Sequence, residues 1–465
     1  MDRRTFLRTV AAGAAAAALH PRAASAAQAW QITSPADGQI EGYPSSTSGA
    51  PGEPLTLHVH TTSSTWDLHV YRMGWYGGAG AQLVHTRLGL PGQQQQRATP
   101  DPTSGLVDNQ WPASYTATIP PTWPTGVYLA RLTAAADGRQ CYVPFVVRAI
   151  VPTAPTLIVH GVMTDQAYNN WGSKSLYDAG SWGTTSGALA PFAPTSKRAV
   201  KVSFNRPFRS GHGAGLFLRW EYPAVRWLER EGIAVDYVTD LDVRRDPTLL
   251  RAYRTVLLVG HDEYWNPGMR GGYDAAVAAG TNLCVLAANT GYWQVRFESS
   301  ARVMVCWKNA AADPQKGEWA TVQWRQPPLN RPESMLLGSM YASNDFGTYP
   351  LVVTAPSVWP FAGAGVAAGE SFPGVCGYEI DRAHPASQYP RPAGLQTLTR
   401  SPTRTRSGAT VYQEASFWQH PTGGWVFNAG TINWAWALDD FDADGASRAY
   451  ASDKLRRVTR NLLAA

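Results

Sequence analysis

The sequence predicts an α/β protein in which an N-terminal β-sandwich precedes a larger three-layer domain built on a parallel sheet, with a strand- and loop-rich insertion. Three observations lead there. At 465 residues the chain exceeds what one ordinary core holds. From Trp30 to about Ala149 it runs in short alternating segments with no helix-period stretch of useful length. After "VPTAPT", buried uncharged runs alternate with amphipathic ones, the pattern of parallel strands covered on both faces by helices.

The opening "MDRRTFLRTVAAGAAAAALHPRAASA" pairs Arg3 with Arg4, follows them with a weakly apolar alanine run and ends on Ala24-Ser25-Ala26. The run is too short for a membrane span, and the pattern predicts a twin-arginine signal peptide over residues 1–26 with export to the periplasm or beyond. That route carries folded proteins, so a metal could be loaded before transport. Four arginines against Asp2 take about half of the formal +6 away with the signal. The remainder is mildly basic and has no Lys/Arg cluster interleaved with aromatics, which argues against nucleic acid as a partner. The 19 tryptophans and 20 tyrosines suit a carbohydrate-facing groove or a pocket walled by rings, against the plainer reading of a β-rich core filled with large side chains.

Residues 27–150 are expected to form a sandwich of roughly immunoglobulin-like size from "LTLHVHTT", "WDLHVYRMGWY", "GVYLARLTA" and "CYVPFVVRA", with turns at "GAPGE" and "PTWPTG". His58, His60 and His69 fall at strand spacing and are expected on solvent faces rather than on a metal. Residues 151–465 form the second domain. "TLIVHGV", "IAVDYVTD", "RTVLLVG" and "NLCVLAAN" read as its strands, and "RWEYPAVRWLEREG", "DPTLLRAY" and "GYDAAVAAG" as helices between them. An insertion at about 303–419 is expected over the site. "GGWVFNAGTINWAWAL" then reads as strand and loop, and "SRAYASDKLRRVTRNLLA" as a closing helix.

In an open parallel sheet, ligands bind beyond the carboxyl ends of the strands. There "TVLLVGHDEYW" releases His261, Asp262 and Glu263, and two extended residues would point His261 and Glu263 to one side and Asp262 to the other. "AANTGYW" brings Asn289, Tyr292 and Trp293 to the same rim. "TDQAYNNWGSKSLYD" adds Tyr168, Tyr177 and Asp178 after the first parallel strand. Two phenols and a carboxylate suit a hard trivalent cation, ferric iron above all; each tyrosine taken alone reads as packing.

Other chemistries lack their patterns. G-x-S-x-G and H-E-x-x-H are absent, which removes the usual support for a serine hydrolase or a thermolysin-like zinc site. "GHGAG" follows no confident strand, and "DFDADG" from Asp440 to Gly445 lacks the closing glutamate of a calcium loop, whose place Ala451 takes. Cys141, Cys284, Cys306 and Cys376 have no C-x-x-C spacing; one disulfide stays open.

"TDQAYNNWGSKSLYD", "VSFNRPF", "GHDEYW", "NTGYW", "CGYEIDR" and "GTINWAWAL", in that order, resemble the large (β) subunit of N,N-dimethylformamidase and its relatives over roughly Leu157 to the C-terminus, and "VYRMGWYGGAGAQLV" looks like the small β-domain that often precedes it. The resemblance implies a glutamine-amidotransferase-like catalytic domain and a mononuclear iron held by two tyrosines and a glutamate. Carried over by motif, the metal residues are Tyr168, Tyr177 and Glu263; His261 and Asn289 line the site, and Glu379 is a catalytic acid. The implied function is an exported iron hydrolase that cleaves the C–N bond of a linear small-molecule amide. Glu379 would move the proton, Asn289 hold the carbonyl oxygen and His261 orient Glu263 or the water, while Trp171, Trp265 and Trp293 either exclude water or only pack. The family enzyme is longer, has a much longer segment between its two tyrosines and works with a separate small subunit, so a small subunit and a homo-oligomer both stay open as partners. A glycan- or protein-binding module on a catalytically lapsed scaffold is the competing class, and an ester or carbamate hydrolase using the same metal is a third reading.

Overall fold

The computed structural model describes residues 29–177, 198–443 and 449–464. The expected signal peptide and Asp178 lie outside the described residues, as does part of the Asp440 to Gly445 motif. The described chain is a sheet-rich α/β structure. Its N-terminal part holds a three-stranded sheet (Ile40–Pro44, Pro54–Thr61, Tyr115–Thr118) and a five-stranded sheet (Ser48–Gly49, Thr65–Met73, Ala81–Pro91, Gly126–Ala134, Gln140–Val147). Leu57 and Val59 of the first sheet share one core with Trp66, Leu68, Leu132 and Val143 of the second.

Alternation explains why this region is apolar on more than one face. Trp66, Leu68 and Val70 of the Thr65–Met73 strand face that core, whereas Tyr71 and Met73 join a second core with Phe217, Tyr222, Trp227 and Tyr237 of the C-terminal region. The two regions are therefore joined by a continuous apolar contact. His60 corrects the solvent-face expectation: it is buried, its Nδ1 beside the Gln95 backbone, because the Gln93 to Gln96 tract folds over the strand and pairs with Thr61. His58 stacks on Tyr43 and its Nδ1 lies 2.7 Å from the Trp111 carbonyl oxygen.

The central sheet has seven strands in the order Val235–Thr239, Thr156–His160, Thr255–Gly260, Asn282–Ala287, Trp425–Asn428, Ser416–Gln419, Gln396–Thr397. The first five are parallel. The last two are added through antiparallel pairings, so part of the expected insertion is built into the sheet instead of lying over it. The helices follow the expected alternation: Val162–Tyr168, Tyr222–Arg230, Asp240–Arg245 with a Thr239/Asp242 capping box, Pro267–Ala278 capped by Asn266, and the closing Asp453–Ala464. Two local readings change: "DPTLLRAY" contains the 3₁₀ helix Pro247–Ala252, and the loop of "GTINWAWAL" is the 3₁₀ helix Ile432–Ala437. All four cysteines are buried and free. No helix among the described residues is long and apolar enough to cross a membrane.

Candidate active site

Glycine decides how the Thr255–Gly260 strand ends. Gly260 has φ +76°, and a Cβ there would stand 2.7 Å from that of Trp220, so only glycine lets the chain leave the sheet at this angle. The three residues beyond it diverge as alternation predicts. His261 and Glu263 meet, with His261 Nε2 3.5 Å from Glu263 Oε2, while Asp262 turns away into a buried group with Asp240 and Asp165. A hydrogen bond of 2.8 Å from the Glu263 backbone N–H to Thr164 Oγ1, in the Val162–Tyr168 helix, fixes the carboxylate.

Both predicted tyrosines reach that carboxylate. Tyr168 OH donates to Glu263 Oε2 at 2.8 Å and Tyr177 OH donates to Oε1. The two rings stack at 4.4 Å, and Trp293 Nε1 donates to Tyr177 OH at 3.3 Å. Trp171 and Trp265 do not take part: Trp171 donates to Glu41 on the N-terminal region and Trp265 stacks on Tyr273.

Glu379 arrives from the Ser371–Arg382 strand. Asp381, two residues on, accepts from the Asn289 backbone N–H at 2.8 Å and from Asn428 Nδ2 at 3.0 Å, which seats that strand on the carboxyl ends of the sheet. Asn289, at φ +54°, a conformation asparagine tolerates, donates Nδ2 to Glu379 Oε2 at 2.7 Å, and Asn344 Nδ2 donates to Oε1 at 3.1 Å. His261 Nε2 lies 3.4 Å from Glu379 Oε2, so the imidazole stands between two carboxylates in long charge contacts. The structure thus brings all six predicted side chains together. It also changes one expectation, because the Asn289 amide serves Glu379.

The two carboxylates are held differently. Burial raises the Glu263 pKa, and its two phenol donors supply hydrogen bonds but no charge. Burial also works against ionised Glu379, but His261 and the two amides outweigh it and hold its pKa below the usual carboxylate range. Burial disfavours protonated His261, and Glu379 and Glu263 outweigh it and raise its pKa. Tyr168 and Tyr177 are pushed well above ordinary phenols by burial and by Glu263.

Sequence reasoning missed Lys308 and Asn344. Lys308 follows the Val303–Val305 strand and places Nζ 3.2 Å from the centroid of the Tyr177 ring and 4.7 Å from that of Trp293. Burial lowers its pKa to about 7 against the pull of Glu263. Neither residue carries a motif signal; each is delivered by tertiary packing.

Among the described residues no group of three or more His, Cys, Asp and Glu side chains is placed to hold a metal ion, so a metal here would depend on the phenols. The donor set fits one: buried Tyr168 and Glu263 and partly buried Tyr177 bring phenol and carboxylate oxygens into mutual contact, all of them hard donors.

A family model described as N,N-dimethylformamidase beta subunit-like, C-terminal, matches residues 67–449. The chain belongs to this family. The match begins within the Thr65–Met73 strand, so the family pattern takes in most of the N-terminal sheets as well as the central sheet and every residue of the site. The chain is 26% identical over 225 residues to the N,N-dimethylformamidase beta subunit of Alcaligenes sp; the aligned part is 41% of this chain and 28% of that protein. It thus spans little more than a quarter of that relative's length.

The neighbouring buried acids give a pH prediction. Burial lifts Asp165 to about 7, and its Oδ2 accepts from the Leu216 backbone N–H at 3.1 Å. A folded-state value above the unfolded value of about 4 means the folded protein keeps a proton that the unfolded chain has released, so stability falls as pH rises from about 4 to about 7. Asp165→Asn is expected to be near neutral at pH 4 and to stabilise by about 2–4 kcal/mol at pH 8. Denaturant melts at the two pH values check it; an equal effect at both would show that Asp165 is ionised throughout.

Proposed function

We propose that this protein is an exported, iron-dependent hydrolase of linear amides, with Tyr168, Tyr177 and Glu263 holding the metal. The observation that supports it most is the convergence of both phenols on one buried carboxylate beside a second carboxylate held in its charged form. Iron would supply Lewis acidity for polarising an amide carbonyl. The chain's own residues supply the rest. Ionised Glu379 takes a proton from the attacking water and returns it to the departing amine, so that amide and water leave as carboxylic acid and amine. Asn289 and Asn344 hold Glu379 charged and oriented, and His261 balances it electrostatically. Lys308 Nζ, buried and without a hydrogen-bond partner among the described residues, can donate to oxygen as negative charge develops there. Trp293 and the paired tyrosine rings keep bulk water from the carboxylates.

This reading carries an immunoglobulin-like sandwich over 27–150 and an amidotransferase-like domain over 151–465, supported by the two N-terminal sheets on one core and by the five parallel strands with their helices. Export is supported by Arg3, Arg4 and the small-residue triplet. A separate small subunit is part of the proposal only in so far as the relative is named a beta subunit.

The test is expression from the 465-residue sequence, followed by fractionation, metal analysis and an amine-release assay on small N-alkyl amides. Recovery in the exported fraction with one iron per chain and measurable amine release is expected. A folded, exported protein that carries no iron and releases no amine would favour the binding module.

A further inference from the structure

Arg206 is a cation the site does not explain. It is 2% exposed and among the largest fully buried side chains. Burial alone lowers its pKa, to about 9, and among the described residues no acidic group opposes the shift. Burying a guanidinium without a counter-ion is costly, and such a group persists where fixed dipoles replace water.

Here the dipoles all come from one short stretch. Nη1 donates to the carbonyls of Trp171 at 3.1 Å and Lys174 at 2.7 Å, and Nη2 donates to those of Gln166 at 3.3 Å and Asn169 at 2.8 Å. The four acceptors span 166–174, the end of the Tyr168 helix and the loop that leads to Tyr177. The loop bends through left-handed Gly172 (φ +75°) and Ser173 (φ +68°), so its carbonyls are not taken up by a regular helix or sheet. The neighbours of Arg206 complete the attachment. Asn169 Nδ2 donates to the Pro207 carbonyl at 2.8 Å, and Asn169 Oδ1 accepts from the backbone N–H groups of Trp171 and Arg209. Farther on, the Leu176 N–H donates to the Ala167 carbonyl at 3.0 Å, closing the loop beside both phenols.

We propose that Arg206 is the positioning residue of the metal site: its planar fork gathers the 166–174 carbonyls and so sets Tyr168 and Tyr177 against Glu263. Lysine replaces it only in part, since one ammonium offers three donors from a single point where the planar fork reaches four carbonyls. The inference rests on the reading of the tyrosines as ligands, and the test separates the two.

Arg206→Met, Arg206→Lys and Asn169→Ala are compared with the parent by iron binding, by the visible tyrosinate-to-iron band and by hydrogen exchange at amides 166–177. Arg206→Met is expected to bind iron roughly 10–100-fold more weakly, with a shifted band and faster exchange confined to 166–177. Arg206→Lys and Asn169→Ala are expected to fall between, and they decide the matter if the methionine variant does not fold. Variants that fold and bind iron within twofold of the parent, with the same band, overturn the proposal whether or not the segment exchanges faster. A parent that binds no iron overturns the reading of the ligands; exchange, which needs no metal, then decides whether Arg206 holds the segment, and unchanged exchange overturns that as well.

Discussion

Glu263→Ala is expected to abolish iron binding while leaving the fold intact. Glu263 is the common acceptor of Tyr168 and Tyr177 and is 1% exposed. Without it a trivalent cation would keep two of three anionic ligands, and the phenols would lose the group that aligns them. Loss of one ligand is expected to exceed the roughly 10–100-fold typical of outer-shell changes. Stability should change little by comparison. Burial already raises the Glu263 pKa, so the carboxylate is a burden to the metal-free fold, and its removal offsets the two phenol hydrogen bonds that go with it. The measurement is metal content after equilibration with a competing chelator, read beside the thermal melt. A Glu263→Ala protein that keeps iron as tightly as the parent would remove Glu263 from the ligand set. One that unfolds would make the tyrosine–glutamate cluster a packing device.

Much of this arrangement was legible in the sequence because its carriers are local. The Thr255–Gly260 strand announces itself as an uncharged run, and period-two alternation beyond it puts His261 and Glu263 together and sends Asp262 elsewhere. The parallel part of the sheet follows from the spacing of strands and helices. What escaped is set by distant packing. His60 has the alternation of an exposed strand residue, and only the later Gln93 to Gln96 tract buries it. The Ser416–Gln419 strand reads as part of an insertion because antiparallel pairing with Trp425–Asn428 leaves no periodic mark that tells it from a hairpin over the site. Lys308 and Asn344 come from segments remote in sequence from every motif. Arg206 lies inside a noted motif, "VSFNRPF", yet its work is done on backbone carbonyls, which sequence does not display.

Glu379→Gln is expected to keep iron and fold and to lose most turnover. The carboxylate accepts one amide on each oxygen, from Asn289 at 2.7 Å and Asn344 at 3.1 Å, and it faces His261 at 3.4 Å. Glutamine has the same shape but carries a donor where the carboxylate had an acceptor. Whichever way it turns, its NH₂ meets one of the two asparagine N–H groups, so one hydrogen bond is replaced by donor facing donor. His261 also loses the charge that contributes most to raising its pKa, and its protonated fraction falls. Above all, a neutral amide cannot take the proton of an attacking water. General-base contributions are worth about 10²–10⁴ in rate, and a kcat loss of that size with metal content unchanged is the expected result. Asn344→Ala should cost less, since Asn289 and His261 still hold the carboxylate. If Glu379→Gln loses its iron, Glu379 is a ligand and the site has two carboxylates on the metal. If it keeps iron and turns over within about tenfold of the parent, below the general-base range, the proton is moved by another group, and Lys308, whose ammonium stands over the Tyr177 ring with its pKa lowered to about 7, becomes the residue to change next.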